Sequence, residues 1–297
     1  MILCVAANPS IDRLFAVDRF TPGGIHRPTE FVQVAGGKGL NVARAAAQLG
    51  GDVRAAALLG GHAGHWIAEQ LAAEGVELHA AWAEAETRSS LSVAGAREGL
   101  TEFYEHGFPV SPGEWDTFAA MVARLAANSS WMTLSGSLPP GAPAEGYLEL
   151  IPRTRTALDS RAPGVDARPA VVKLNEAEAE AGAGADGPLA AARALHARSG
   201  GAAIVTRGRE GAVLVRPDGE AMAGRVDAEG AYPVGSGDAF LAGLVVALDR
   251  GADWADALRA ALGAGAANAA LPGAGRLHRA NAERLAEQAR ITPERGV

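Results

Sequence analysis

The chain has 297 residues, 48% hydrophobic and 21% charged, room for one large globular domain or two modest ones, and this excludes disordered and fibrous classes. Its 27 Lys+Arg against 34 Asp+Glu leave a net charge of −7, the wrong sign for non-specific attraction to nucleic acid or to an anionic membrane. One cysteine, Cys4, cannot form an internal disulfide, and seven scattered His supply no zinc framework, so a reducing, cytoplasmic setting is expected.

In chain order, MILCVAANPSID has no basic leader and reaches Asn-Pro after seven residues, so it reads as a strand over Ile2–Ala7 and not as a signal peptide. Asp12–Val34 is rich in Val, Phe and Thr and reads as strands with turns. A glycine turn, Ala35-Gly36-Gly37-Lys38-Gly39, then opens into a helix over Leu40–Leu49, followed by a strand at Val53–Leu59 and a helix at His65–Glu74. Arg88–Tyr104 again reads as strands without a helix. The alternation resumes with helix Pro112–Ala127, strand Trp131–Leu134, helix Ala144–Ile151 and strands Thr156–Leu158 and Ala170–Leu174. Ser160–Pro169 carries two prolines and is too short for a helical crossover, so a loop is expected there. Helices Glu176–Ala181 and Pro188–Arg198, strands Ala202–Thr206, Ala212–Arg216 and Glu220–Gly224, and helices Ser236–Asp249, Trp254–Ala270 and Arg279–Gln288 complete the chain. Strands alternating with Ala-rich helices predict an α/β fold on a parallel sheet, and the two helix-free stretches predict a small sheet grown as a lid from two insertions.

Three glycine turns stand at the ends of strands or the starts of helices. Val234-Gly235-Ser236-Gly237-Asp238 opens straight into an apolar helix, where unpaired amides and the helix dipole form an anion site. The plainer alternative is that Ser236 caps the helix and Asp238 offsets its dipole. Gly36-Gly37-Lys38-Gly39 lacks the spacing of a Walker loop, and Ser135-Gly136-Ser137-Leu138-Pro139-Pro140-Gly141 follows a strand, on the side where α/β proteins bind ligands. Gly182–Gly187 matches Gly-x-Gly-x-x-Gly but follows a helix, so it reads as a helix-ending loop.

Gly36-Gly37-Lys38-Gly39-Leu40-Asn41 and Gly235-Ser236-Gly237-Asp238 resemble the two signatures of the PfkB (ribokinase-like) carbohydrate kinase family, and the resemblance spans essentially the whole chain. Asn8-Pro9-Ser10-Ile11-Asp12 and Ser135–Gly141 resemble its phosphosugar branch, 1-phosphofructokinase and tagatose-6-phosphate kinase. The resemblance implies a single domain over 1–297: a ribokinase-like three-layer α/β/α core with a mostly parallel central sheet, and a small β-sheet lid formed by about 12–34 and 88–104. It implies ATP-dependent phosphorylation of a sugar phosphate, with fructose 1-phosphate leading and tagatose 6-phosphate, fructose 6-phosphate or an unphosphorylated ketose as alternatives. From another class, a non-catalytic sugar-phosphate or nucleotide sensor is the rival. A nicotinamide dehydrogenase lacks its fingerprint after the first strand.

Carried over by position, the resemblance makes Asp238 the base for the attacking hydroxyl and the amides of Gly235, Ser236 and Gly237 an anion hole. Asp12, Gly37 and Asn41 would hold the sugar. Arg88, Ser137 and Lys38 would meet its existing phosphate, Arg88 because a guanidinium forks onto a phosphate. Thr206, Gly208, Gly211, Gly265 and Asn268 would line the nucleotide. Asn175 and Glu178 would support Mg²⁺, largely through water. The implied cofactors are ATP and Mg²⁺. The partner is a small sugar phosphate, with no nucleic acid and no membrane, and a homodimer through the lid is left open. The chain departs from the branch at Thr101–Gly107, where Tyr104-Glu105-His106-Gly107 stands in place of Asn-Glu-Pro-Gly, and at Pro233 and Leu174, in place of Thr and Pro. No Lys occurs in Gly23–Arg27, so Arg27 or His26 would supply a second phosphate contact from the lid.

Overall fold

Burial along the first strand, β1 (Ile2–Ala6), fixes the layering: Ile2, Cys4 and Ala6 pack on one side of the sheet and Leu3 and Val5 on the other. A strand apolar on both faces must be covered by helices on both faces. This is a computed structural model, and it describes residues 1–95, 99–161 and 164–294. Parts of two expected segments, 96–98 within 88–104 and 162–163 within 160–169, lie outside the described residues, as does 295–297.

The strands that follow are β2 (Ser10–Val17), β3 (Glu30–Gly36), β4 (Val53–Gly60), β5 (Glu77–Ala83), β6 (Ser89–Gly95), β7 (Gly99–Tyr104) and β8 (Trp131–Ser135). Next come β9 (Thr156–Asp159), β10 (Val171–Asn175), β11 (Ala202–Thr206), β12 (Ala212–Val215), β13 (Ala221–Arg225) and β14 (Arg290–Glu294). The helices are α1 (Lys38–Gln48), α2 (Gly61–Ala73), α3 (Pro112–Ala126), α4 (Gly146–Leu150), α5 (Glu176–Ala183), α6 (Pro188–Ser199), α7 (Ser236–Asp249), α8 (Trp254–Ala269) and α9 (Arg279–Gln288).

The large sheet runs β14-β13-β12-β11-β10-β9-β8-β1-β4-β5. It is parallel from β5 to β11 and antiparallel beyond. Helices α1, α2, α7, α8 and α9 cover one face, and α3, α4, α5 and α6 the other. The stretches expected to form a separate sheet do so, in the order β3-β2-β6-β7. Register sets Asp12 beside Val34 and Ser90, on the face turned toward the carboxyl ends of the large sheet.

Two strands escape the sequence pattern. Strands β5 and β14 are edges, paired on one side only, and Ala-rich ELHAAWA and Pro-containing RITPE carry little β signal. Helix α2 begins at Gly61, ahead of the expected His65, because the Glu86 carboxylate accepts from the amides of His62 and Ala63. That cap comes from 23 and 24 residues away, so local sequence cannot show it. The helix expected at Ala144–Ile151 shortens to α4 and a 3₁₀ turn, Ile151–Arg153. Between β9 and β10 the described residues contain only a 3₁₀ turn, Val165–Ala167. Gly182–Gly187 does end a helix, with Gly184 left-handed (φ 60°) after α5. No helix among the described residues is long and apolar enough to cross a membrane.

Candidate active site

The small sheet stands over the carboxyl ends of β1, β8, β9, β10 and β11, and a cavity of about 1590 Å³ lies between them. Its floor is the start of α7. Gly235 is left-handed (φ 83°), and a Cβ there would come 2.6 Å from Ala274 Cα, so space and conformation both demand glycine. No side chain caps α7, which leaves its positive end facing the cavity. Ser236 is thus not a cap: it is the first helical residue, and its Oγ is buried without a hydrogen-bond partner. Its N–H donates to Pro233 O at 3.1 Å, so the middle of the three amides expected in an anion hole is already engaged.

Asp238, in the first turn of α7, is 6% exposed, and Asn41 Nδ2 donates to its Oδ2 at 2.9 Å. Burial and the charge of Asp159 push the carboxyl up to about 6, against the opposing pull of Lys38, Lys173 and Asn41. Across the cavity, Gly37 (φ 88°) precedes α1, and its N–H donates to Asp12 Oδ2 at 3.1 Å. A Cβ on Gly36 would overlap the Asp12 carboxylate. Burial raises Asp12 above the usual carboxylate range, and Ser10, Gly37, Arg88 and Arg44 work the other way.

Arg88 donates through Nη1 to Glu105 O (3.2 Å) and through Nη2 to Asn8 O (3.1 Å), while its Nε is buried without a partner. Asn8 Nδ2 donates to Ser137 Oγ at 3.1 Å, which brings Ser137 to the same side. Lys38 does not join them. Its Nζ lies 3.2 Å from Asp159 Oδ1 and 3.5 Å from Glu178 Oε1, toward the opposite side of the cavity.

Asn175 and Glu178 cap α5 reciprocally: Glu178 N–H donates to Asn175 Oδ1 (2.8 Å) and Asn175 N–H to Glu178 Oε2 (3.1 Å). Thr206, Gly208, Gly211 and Gly265 line the cavity beyond them. Asn268 does not. It is fully buried, donating from Nδ2 to Val234 O (3.0 Å) and accepting at Oδ1 from Gly275 N–H (2.8 Å), so it braces the loop ahead of α7 from behind.

Two residues join the site that the motifs do not carry. Asp159 is completely buried at the carboxyl end of β9, and Lys173 Nζ donates to its Oδ2 at 2.7 Å. Burial alone would raise Asp159; Lys173 and Lys38 outweigh it and hold the carboxyl below its usual range. A Cβ on Gly237 would meet Lys173 Nζ at 3.2 Å, so this buried ammonium lies against the first turn of α7.

A carboxylate in the first turn of an uncapped helix, flanked by two lysines and opposite a second carboxylate seated on a glycine pair, suits in-line transfer of a phosphoryl group to a hydroxyl. A family model described as pfkB family carbohydrate kinase matches residues 2–279. The chain belongs to the pfkB family of carbohydrate kinases. The 1-phosphofructokinase of Haloferax volcanii is 34% identical over 272 residues, 87% of this chain and 88% of its own length. That of Rhodobacter capsulatus is 34% identical over 276 residues, 88% of this chain and 87% of its own. A solved structure of phosphofructokinase-2 from Escherichia coli in complex with substrates and products matches with a TM-score of 0.88 at 25% identity, covering 96% of this chain and 98% of that one. Membership of this kinase family implies ATP as the phosphoryl donor.

In this kinase the missed pair had a faint signal. Asp159 closes the apolar strand Thr156–Leu158 at the sheet end where α/β ligands bind, and Lys173 is a lone charge inside the otherwise apolar Val171–Leu174. Lone charges in or at the end of a strand are common, and only the pairing of β9 with β10 shows that these two meet.

Proposed function

We propose that the kinase transfers the γ-phosphoryl group of ATP to a sugar that already carries a phosphate, with fructose 1-phosphate to fructose 1,6-bisphosphate as the leading reaction. The observation that carries the reading is Asp238, a buried carboxylate whose pKa is pushed up to about 6, at the open start of α7. The attacking hydroxyl gives its proton to Asp238, its oxygen bonds to the γ-phosphorus, and the bond from that phosphorus to the β–γ bridging oxygen breaks to release ADP. The amides of Gly235 and Gly237, together with Lys38 and Lys173, meet the charge on the phosphoryl oxygens. Asp12 and Asn41 hold the sugar hydroxyls, with the Gly37 amide keeping Asp12 in place.

Arg88, with Ser137, takes the phosphate that the sugar brings, and its unpartnered Nε supports that role. Lys38 belongs to the transferred group and not to this one, because its ammonium is tied to Asp159 and Glu178. Mg²⁺ supplies charge neutralisation on the ATP phosphates. Glu178 and Asn175 would support it largely through water: the α5 cap uses only Oε2 of Glu178, and Oε1 faces the cavity beside Lys38; a magnesium bound mainly through phosphates and waters needs only one or two carboxylates from the protein.

The chain acts as one domain whose sheet β3-β2-β6-β7 is the lid that excludes water. Phe31 and Phe103, 56% and 52% exposed, lie on the lid face opposite Asp12 and support a homodimer formed through the lid. A kinase assay on fructose 1-phosphate, tagatose 6-phosphate, fructose 6-phosphate and free ketoses tests the reading. The highest kcat/KM falls on fructose 1-phosphate if it holds, and on a free ketose if the substrate-phosphate assignment is wrong.

A further inference from the structure

Among the described residues Arg44 is the largest fully buried charged side chain, 1% exposed, on α1 three residues after Asn41. Charged side chains are almost never fully buried without a full set of partners. Arg44 has one. Its Nε donates to Glu74 Oε2 at 2.7 Å, Nη2 to Ala35 O, and Nη1 to both Ala274 O (3.2 Å) and Asn41 Oδ1 (3.3 Å).

Three of these acceptors, on Glu74, Ala35 and Ala274, lie on segments that reach α1 only in the folded chain, while the fourth, Asn41, stands one turn earlier on α1 itself. Ala35 enters the glycine pair that seats Asp12. Ala274 touches Gly235 from behind, and its neighbour Gly275 lies so close to the Asn41 backbone that a Cβ would come 2.4 Å from Asn41 O. Asn41 holds Asp238. An asparagine amide can turn either end toward a carboxylate, and the wrong end would set two oxygens against each other at hydrogen-bond distance. A donor at Oδ1 removes that freedom, and Arg44 is this donor.

We propose that Arg44 is a positioning residue for phosphoryl transfer: it fixes the Asn41 amide so that Nδ2 faces Asp238, and it holds the sugar-side glycine turn in register with the loop ahead of α7. The proposal rests on Asp238 being the base. The charged groups around Asp238 are Asp159 from β9, Lys173 from β10 and Lys38 from α1, with Asn41 the neutral donor; Arg44 itself faces Glu74, Arg276 and Asp12.

The test is the pH dependence of kcat in Arg44→Met and Arg44→Lys, each compared with Asn41→Ala. Folded Arg44→Met is expected to keep KM for ATP within about twofold and to lose roughly 10- to 100-fold in kcat, the scale of a misplaced reacting group. Its acid limb moves to higher pH, because the donor that favours ionised Asp238 is no longer held, and the double variant with Asn41→Ala shows no further movement. Arg44→Lys leaves the limb moved, since an ammonium cannot span three segments as the guanidinium fork does. A folded Arg44 variant that only melts earlier, with an unmoved acid limb, overturns the proposal. If neither Arg44 variant folds, Asn41→Ala decides: an unmoved limb overturns the proposal and a moved one supports it. Asp238→Asn run alongside separates the two readings, because activity retained there removes the base assignment instead.

Discussion

At the scale of single residues, Asp238 joins catalysis to stability with opposite signs. Its carboxyl is pushed up to about 6 from an ordinary 3.8, so the folded chain binds that proton more tightly than the unfolded chain does. The associated stability is fully present below the unfolded value and is lost as pH rises through about 6, a difference of roughly 3 kcal/mol. Asp238→Asn is therefore expected to lower kcat by ~10²-fold or more while ATP still binds, and to raise Tm at pH 8 by an amount that shrinks below pH 6. Steady-state kinetics and thermal melts across pH check both halves. The wild-type kcat should rise with pH through about 6, as the base ionises. Arg88 makes a different prediction, because a guanidinium gains a forked, charged partner only from a phosphorylated sugar. Arg88→Ala should cost roughly 10- to 10³-fold in kcat/KM on the sugar phosphate and little on a free ketose, with Arg88→Lys recovering part. Equal losses on both kinds of sugar would remove the phosphate contact from Arg88.

At the scale of elements, the loop ahead of α7 and the small sheet carry the demands that only backbone can meet. Gly235 combines φ 83° with a Cβ position 2.6 Å from Ala274 Cα. Gly235→Ala should lose more than the ~1–2 kcal/mol of left-handed strain alone, seen as a lower Tm, and should lose kcat with it. A wild-type melt would show that the loop relaxes freely. The lid prediction concerns β2, β3, β6 and β7: hydrogen exchange in these strands should slow when a sugar phosphate and a non-hydrolysable ATP analogue are both bound. Unchanged protection would leave the sheet as a fixed wall. The elements also show where sequence patterning runs out. Strand β1 and helices α7 and α8 are legible because deep burial forces long apolar runs on them. Edge strands β5 and β14 are not, since one-sided pairing and partial exposure permit Ala, His and Pro. The early start of α2 depends on Glu86, whose approach is a consequence of the fold and not of its neighbours in the chain.

At the scale of the whole molecule, the apolar lid face bears on assembly. If copies meet there, Phe103→Glu should halve the mass measured by light scattering, because a buried carboxylate opposite a twin of itself is costly; an unchanged mass would place any assembly elsewhere. Sequence by itself determined the layering, the separate sheet and the three glycine turns, because periodicity, composition and the need for positive φ are local properties that survive in one dimension. Its resemblance to the carbohydrate kinase family also implied that Asp238, Asp12, Arg88, Asn175 and Glu178 share one site, and all five line one cavity. Only the tertiary structure decided which way individual charges face. Lys38 turned from the side of Arg88 to Asp159 and Glu178, Asn268 turned away from the cavity to brace Val234 and Gly275, and Asp159 and Lys173 entered the site from neighbouring strands. A polar side chain in the interior settles where its partners are: Asp159 lies 121 residues from Lys38, with Glu178 farther still, and Asp238 lies 197 from Asn41, distances over which no local pattern carries information.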